Sequence, residues 1–139
     1  MKESVVELLK CVNNRFNDNL KAEFKNKEIP IKLKHIDLFI ILYKQGKETE
    51  FKNLVKIWGI SKSTVSETIT RYVKLGLLKK DNTTIDKRLV YISLTEKGSD
   101  YTEKINDITA KYSIKINGLL GEDKNNLKNI LKTIIKSDV

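Results

Sequence analysis

Between positions 61 and 74 the chain interleaves short hydroxyl side chains with cations: Ser61, Lys62, Ser63, Thr64, Ser66, Thr70, Arg71 and Lys74. Hydroxyls can donate to or accept from the edges of bases, while Lys and Arg reach guanine acceptors or phosphate oxygens. A second group, Asp86, Lys87 and Arg88, follows after a polar stretch. There the carboxylate can pair with the guanidinium two residues on and fix its direction, which suits an arginine entering a DNA minor groove. Both groups offer non-covalent recognition of duplex DNA. The plainer alternatives are a solvated helix face and an exposed turn ion pair worth under about 1 kcal/mol.

Charge location separates these readings. The net charge is +9, and residues 31–90 hold thirteen Lys/Arg against six Asp/Glu, so +7 of it lies in the segment that carries both groups. Lys-rich composition that merely solvates a surface predicts an even spread, whereas this asymmetry describes a polyanion-binding centre between nearly neutral ends.

The elements that must position these residues follow from hydrophobic period. Val5, Leu8, Leu9, Val12, Phe16, Leu20 and Phe24 form one apolar stripe on a helix over about residues 2–27, ended by Pro30. Leu33 to Tyr43 reads as a central buried helix, closed by Gln45-Gly46-Lys47. Phe51, Leu54, Val55, Ile57 and Trp58 give a short helix that stops at Gly59, and Ser61 caps the next one by accepting the N–H of Ser63 or Thr64. Two helices joined by a short Gly-containing turn make a helix-turn-helix, with Val55 packed on Val65 and the exit Leu75-Gly76-Leu77-Leu78 on the buried side.

Leu78–Asn82 and Leu89–Leu94 read as antiparallel strands around the turn that holds Lys87 and Arg88. Helix-turn-helix followed by such a hairpin is a winged helix. Beyond Gly98 a stripe of Tyr101, Ile105, Ile108, Tyr112, Ile116 and Leu119 predicts a long helix broken near Gly118–Gly121, and residues 122–136 resume with Leu127, Ile130, Leu131, Ile134 and Ile135. The expected class is mainly α with a small β-hairpin wing, one domain over 1–139. Its terminal segments, 1–30 and 99–139, are more apolar than one small winged helix needs, so they are expected to form a dimerisation bundle around the 31–98 winged helix.

Taken together, Ser61-Lys62-Ser63-Thr64-Val65-Ser66, Arg71, Gly76-Leu77-Leu78, Asp86 and Arg88, and Leu94-Thr95-Glu96-Lys97-Gly98 resemble the MarR (multiple antibiotic resistance regulator) family of bacterial transcription regulators over nearly the whole chain. The resemblance implies a homodimer on a pseudo-palindromic operator, usually a repressor, released by a small ligand or an oxidant. Two positions depart from the family pattern. Glu67 stands where many relatives carry a base, which points its carboxylate at a cytosine amine or a neighbouring cation, and Thr68 takes a place usually aliphatic.

An aromatic or lipophilic effector, as the resemblance implies, would find Phe16, His35, Phe39, Tyr43 and Tyr112 as lining candidates, with a core role as the alternative. Cys11 is the family-style candidate for oxidant sensing, with Lys10 and Arg15 near enough in sequence to lower its pKa; an inert buried thiol is the alternative. One His and one Cys do not supply a nitrogen and sulfur metal site, and no nucleophile–base pair or phosphate loop is visible, so neither cofactor nor enzymatic activity is expected. No apolar run approaches the length of a membrane span and no signal-peptide core opens the chain, so a cytoplasmic location is expected. A winged helix serving only as a protein-interaction module is the remaining alternative.

Overall fold

The computed structural model describes residues 3–82 and 88–138. Among them the order is α1 (Val5–Asn26), a 3-10 turn (Leu33–His35), α2 (Ile36–Gln45), β1 (Thr49–Glu50), α3 (Phe51–Trp58), α4 (Lys62–Lys74), β2 (Leu78–Asn82), β3 (Val90–Leu94), α5 (Glu96–Leu120), a 3-10 turn (Gly121–Asp123) and α6 (Lys124–Lys136). The expected mainly helical winged helix is the one observed. Contacts divide the chain into two compact units, Met1–Lys104 and Ile105–Val139.

In the first unit α1 starts where the Ser4 hydroxyl accepts the Glu7 N–H at 3.1 Å, a cap typically worth about 1 kcal/mol. It ends at Asn26, within a residue of the expected boundary, and Glu28 then turns the chain at a left-handed φ of 52° ahead of Pro30. The expected helix from Leu33 begins instead as a single 3-10 turn before α2 takes over at Ile36. The core is then built from Leu38, Phe39 and Leu42 of α2, Leu54 of α3, Val65, Ile69 and Tyr72 of α4, and Leu77, Leu78 and Ile92, all essentially without accessible surface.

The packing refines one expectation and corrects another. Leu54 rather than Val55 is the fully buried residue of α3, and Val55 is only half-buried against Val65's full burial. Leu75, expected inside with its neighbours, is 44% exposed; the chain reverses at Gly76 with φ 76°, so burial resumes only at Leu77.

The wing is part of a three-stranded antiparallel sheet in the order β1-β3-β2, where a hairpin alone was expected. Register runs from Leu78 opposite Leu94 to Asn82 opposite Val90, and β1 sets Thr49 opposite Ile92. The central strand β3 thus has both edges paired, and Ile92 is its fully buried residue. The connecting turn, with Asp86 and Lys87, lies outside the described residues.

Thr95 explains the Leu94-Thr95-x-x-Gly98 pattern. Its hydroxyl accepts the Gly98 N–H at 3.0 Å, capping α5, and donates to the Gly76 carbonyl at 2.6 Å, while its own N–H bonds the Leu77 carbonyl at 3.1 Å. α5 therefore begins at Glu96, with Gly98 inside its first turn. A Cβ at Gly98 would stand 2.0 Å from the Leu77 oxygen, so the backbones meet where only glycine fits.

In the second unit Ile105 and Ile108 are buried, whereas Ile114, Leu119, Ile130, Leu131, Ile134 and Ile135 are exposed. No described helix is long and apolar enough to cross a membrane.

Candidate nucleic-acid interface

α4 owes its two faces to one period. Val65, Thr68, Ile69 and Tyr72 are buried, and Lys62, Ser63, Thr64, Ser66, Glu67, Thr70, Arg71 and Lys74 are exposed between them. The departure at Thr68 is accommodated because its hydroxyl donates to the Thr64 carbonyl at 2.7 Å, leaving the methyl to pack as an aliphatic would. Thr70 donates likewise to Ser66 at 3.0 Å and keeps lone pairs turned to solvent.

Ser61 caps the helix as its position suggested. Its oxygen accepts the Thr64 N–H at 3.2 Å and its hydrogen goes to the Thr64 hydroxyl at 2.7 Å. Gly59, at φ 72°, supplies the left-handed residue that ends α3 three residues before α4 starts. The N-terminus of α4 thereby projects with its partial positive charge and its small side chains outward. Arg71 and Lys74 lie in the last turn, and the Arg71 guanidinium sits 5.8 Å from the Tyr72 ring centre, within cation–π range.

Between the start of α4 and the sheet runs a groove of about 610 Å³. Lys52 of α3, Lys62, Ser63 and Ser66 of α4, Lys80 of β2, and Arg88 line it, with Glu50, Phe51 and Val90 as its other walls. Arg88 and three of the α4 candidates, Lys62, Ser63 and Ser66, thus line one groove, whereas Ser61, Thr64, Thr70, Arg71 and Lys74 are not among its walls. Lys52 and Lys80 join them, and sequence reasoning missed both. Lys80 was legible only as a strand residue and Lys52 only as a helix surface; their common direction is a tertiary fact. Lys79 is 3.5 Å from Asp81, an exposed pair of little energetic weight.

Two of the effector candidates are core residues. Phe39 has no accessible surface and His35 is 8% exposed, both packed on Tyr72. Tyr43 lies at the surface and donates to Glu103 at 3.1 Å, beside a cavity of about 490 Å³ that it lines with Leu42, Gly46, Ser93 and Ser99. Phe16 and Tyr112 are half-buried on α1 and α5. Cys11 is exposed in the single chain, where a buried thiol was the alternative. Among the described residues no three His, Cys, Asp or Glu side chains gather as a metal site.

The ArnR1-like winged-helix domain matches residues 21–111. The chain belongs to that winged-helix family. The transcriptional regulator TcaR of Staphylococcus aureus is 38% identical over 79 residues, covering 55% of this chain and 52% of TcaR. The chain thus spans about half the length of the curated relatives it matches. The S. aureus MepR–DNA complex superposes with a TM-score of 0.79 at 18% identity over 99% of this chain and 100% of that one. Bordetella bronchiseptica BpsR, whose structure concerns regulation of DNA binding by 6-hydroxynicotinic acid, superposes with a TM-score of 0.76 at 20% identity over 98% and 96%. The ArnR1-like chain shares its fold with MarR itself, in agreement with the motifs.

Proposed function

We propose that the chain is a sequence-specific, double-stranded DNA-binding transcriptional regulator, a cytoplasmic repressor acting as a homodimer on a pseudo-palindromic operator. The observation that carries this reading is the basic groove in which Lys62, Ser63 and Ser66 at the start of α4 meet Lys52, Lys80 and Arg88, continued by the exposed polar residues of α4. Ser63, Ser66 and Thr70 are short enough to let α4 enter a major groove, where Arg71 and Lys74 reach guanine or phosphate and Arg88 reaches the adjoining minor groove.

Residues 31–98 form the DNA-binding part of this reading, and 1–30 with 99–139 the dimerisation part. Val5, Leu9 and Val12 of α1 are 67%, 43% and 57% exposed, and Ile130, Ile134 and Ile135 of α6 are 48%, 42% and 79% exposed. Stripes this apolar are expected to be covered by a second copy. A two-fold axis would set the two α4 helices about 34 to 36 Å apart, one DNA turn. A small aromatic anion of the kind bound by BpsR is the effector class that fits the family, and Cys11, being exposed, stays the site of the oxidant-sensing alternative.

Selection of bound duplexes from a random pool tests the reading. Enrichment of inverted repeats with half-sites about one turn apart is expected. A pool that stays random would overturn it.

A further inference from the structure

The buried stripe of α4 ends in Tyr72, a fully buried phenol whose ring meets Phe39 edge-on at 4.9 Å and His35 at 5.3 Å. Its hydroxyl receives the Lys32 N–H at 3.1 Å and lies 2.6 Å from His35 Nδ1. Lys32 and His35 belong to the segment between α1 and α2, so these two bonds tie the C-terminal half of the recognition helix to a stretch of chain 40 and 37 residues earlier. Arg71, the candidate reader of guanine, is the residue before Tyr72.

Hydrogen-bond bookkeeping fixes the direction of the chain. A phenol has one proton to give, and both Lys32 N–H and the adjacent Arg71 can only donate. His35 Nδ1 is thus the acceptor for the Tyr72 proton, which requires a neutral imidazole carrying its hydrogen on Nε2. Protonation of His35 turns Nδ1 into a donor and strands the Tyr72 hydrogen in the core.

We propose that neutral His35 is a positioning residue for DNA recognition: it holds α4 through Tyr72, and its protonation loosens the helix and weakens duplex binding. This rests on the DNA-binding reading above. The surroundings are set against the charged ring. Burial first, then Lys34, Arg71 and Lys32, lower the pKa of His35 below its usual 6.5. On the side of α1, Lys21 lines a cavity together with Lys32 and Lys34. The nearest carboxylate along the chain, Asp37, is turned to solvent. The device is therefore quiet at neutral pH and acts on acidification below 6.5.

Because His35 is the sole histidine of the chain, its imidazole resonances in the untagged chain need no assignment. NMR should show the Nε2–H tautomer and a titration midpoint below 6.5. The second arm measures affinity for a duplex selected at neutral pH, from about pH 7.5 down to about pH 5.5, for the wild type and His35→Asn. The Asn amide oxygen keeps an acceptor near Nδ1 and does not titrate. The wild type should lose about tenfold in affinity over this range, and His35→Asn should bind as well at neutral pH without that loss.

An Nδ1–H tautomer, a midpoint at or above 6.5, or the same pH profile in both proteins would overturn the proposal. If His35→Asn fails to fold, the wild-type tautomer and midpoint decide. A selection that yields no duplex even at neutral pH would remove the DNA reading and this proposal with it, whereas a selected duplex with a flat profile removes the proposal alone.

Discussion

Gly98→Ala sets two opposing effects against each other inside one helix. Replacing a helical glycine by alanine ordinarily stabilises by about 0.5 to 1 kcal/mol, because the unfolded chain has less freedom to lose. At Gly98 the new Cβ would stand 2.0 Å from the Leu77 oxygen and 3.0 Å from its carbonyl carbon, where ordinary contact begins at 3.4 Å. The helix start and the Leu77 backbone must therefore separate by about 1.4 Å, the difference between those distances. Leu77 is fully buried and its carbonyl accepts the Thr95 N–H, so the separation also breaks a bond that fixes α5. Overpacking of this kind costs about 1 to 3 kcal/mol and the lost bond about 1 more. The clash outweighs the propensity gain, and we expect a net loss of about 1 to 3 kcal/mol. Gly118→Ala, in the same α5 with nothing within 4 Å of its Cβ, should be neutral or gain up to about 1 kcal/mol. Urea denaturation at one fixed chain concentration reads both. Equal effects at the two positions, or a stable Gly98→Ala, would refute the close-approach argument.

Arg88→Ala should weaken operator binding by about 1 to 3 kcal/mol in a fluorescence anisotropy titration while sedimentation shows the dimer intact; unchanged affinity removes Arg88 from the interface. Leu9→Asp with Ile134→Asp alters side chains that are 43% and 42% exposed, so the chain should still fold. If the apolar stripes are covered by a second copy, the dimer dissociation constant should rise at least about a hundredfold. Folding stability should also follow His35. Its folded pKa is lowered, so unfolded chains bind the proton first as pH drops below 6.5, and stability present above that pH declines until the lower folded value is passed. Urea midpoints in mildly acidic and neutral buffer should show a decline in the wild type exceeding that in His35→Asn.

The recognition helix was legible because a buried stripe at Val65, Ile69 and Tyr72 leaves a largely polar opposite face, broken only by the exposed Val73, and because Ser61 is a strong local cap. The start of α5 was legible as a pattern, but its reason was not, since the Thr95 and Gly98 contacts reach back to Gly76 and Leu77. β1 escaped notice: two residues carry no period, and Thr49–Glu50 is a strand only because β3 pairs with it. Two of the effector candidates, Phe39 and His35, are core for a related reason. Aromatic type alone does not separate a pocket wall from a core residue, and Phe39 and His35 spend their surfaces on Tyr72. Lys52 and Lys80 became part of the basic surface only once α3, α4 and the sheet were assembled.

The salt dependence of duplex binding tests the central claim most directly, because it counts phosphates neutralised whatever the operator sequence. A dimer presenting Lys52, Lys62, Arg71, Lys74, Lys80 and Arg88 twice over should contact on the order of 6 to 10 phosphates, giving a slope of log affinity against log salt of roughly −5 to −9. A slope near zero would contradict a DNA-binding role for this surface.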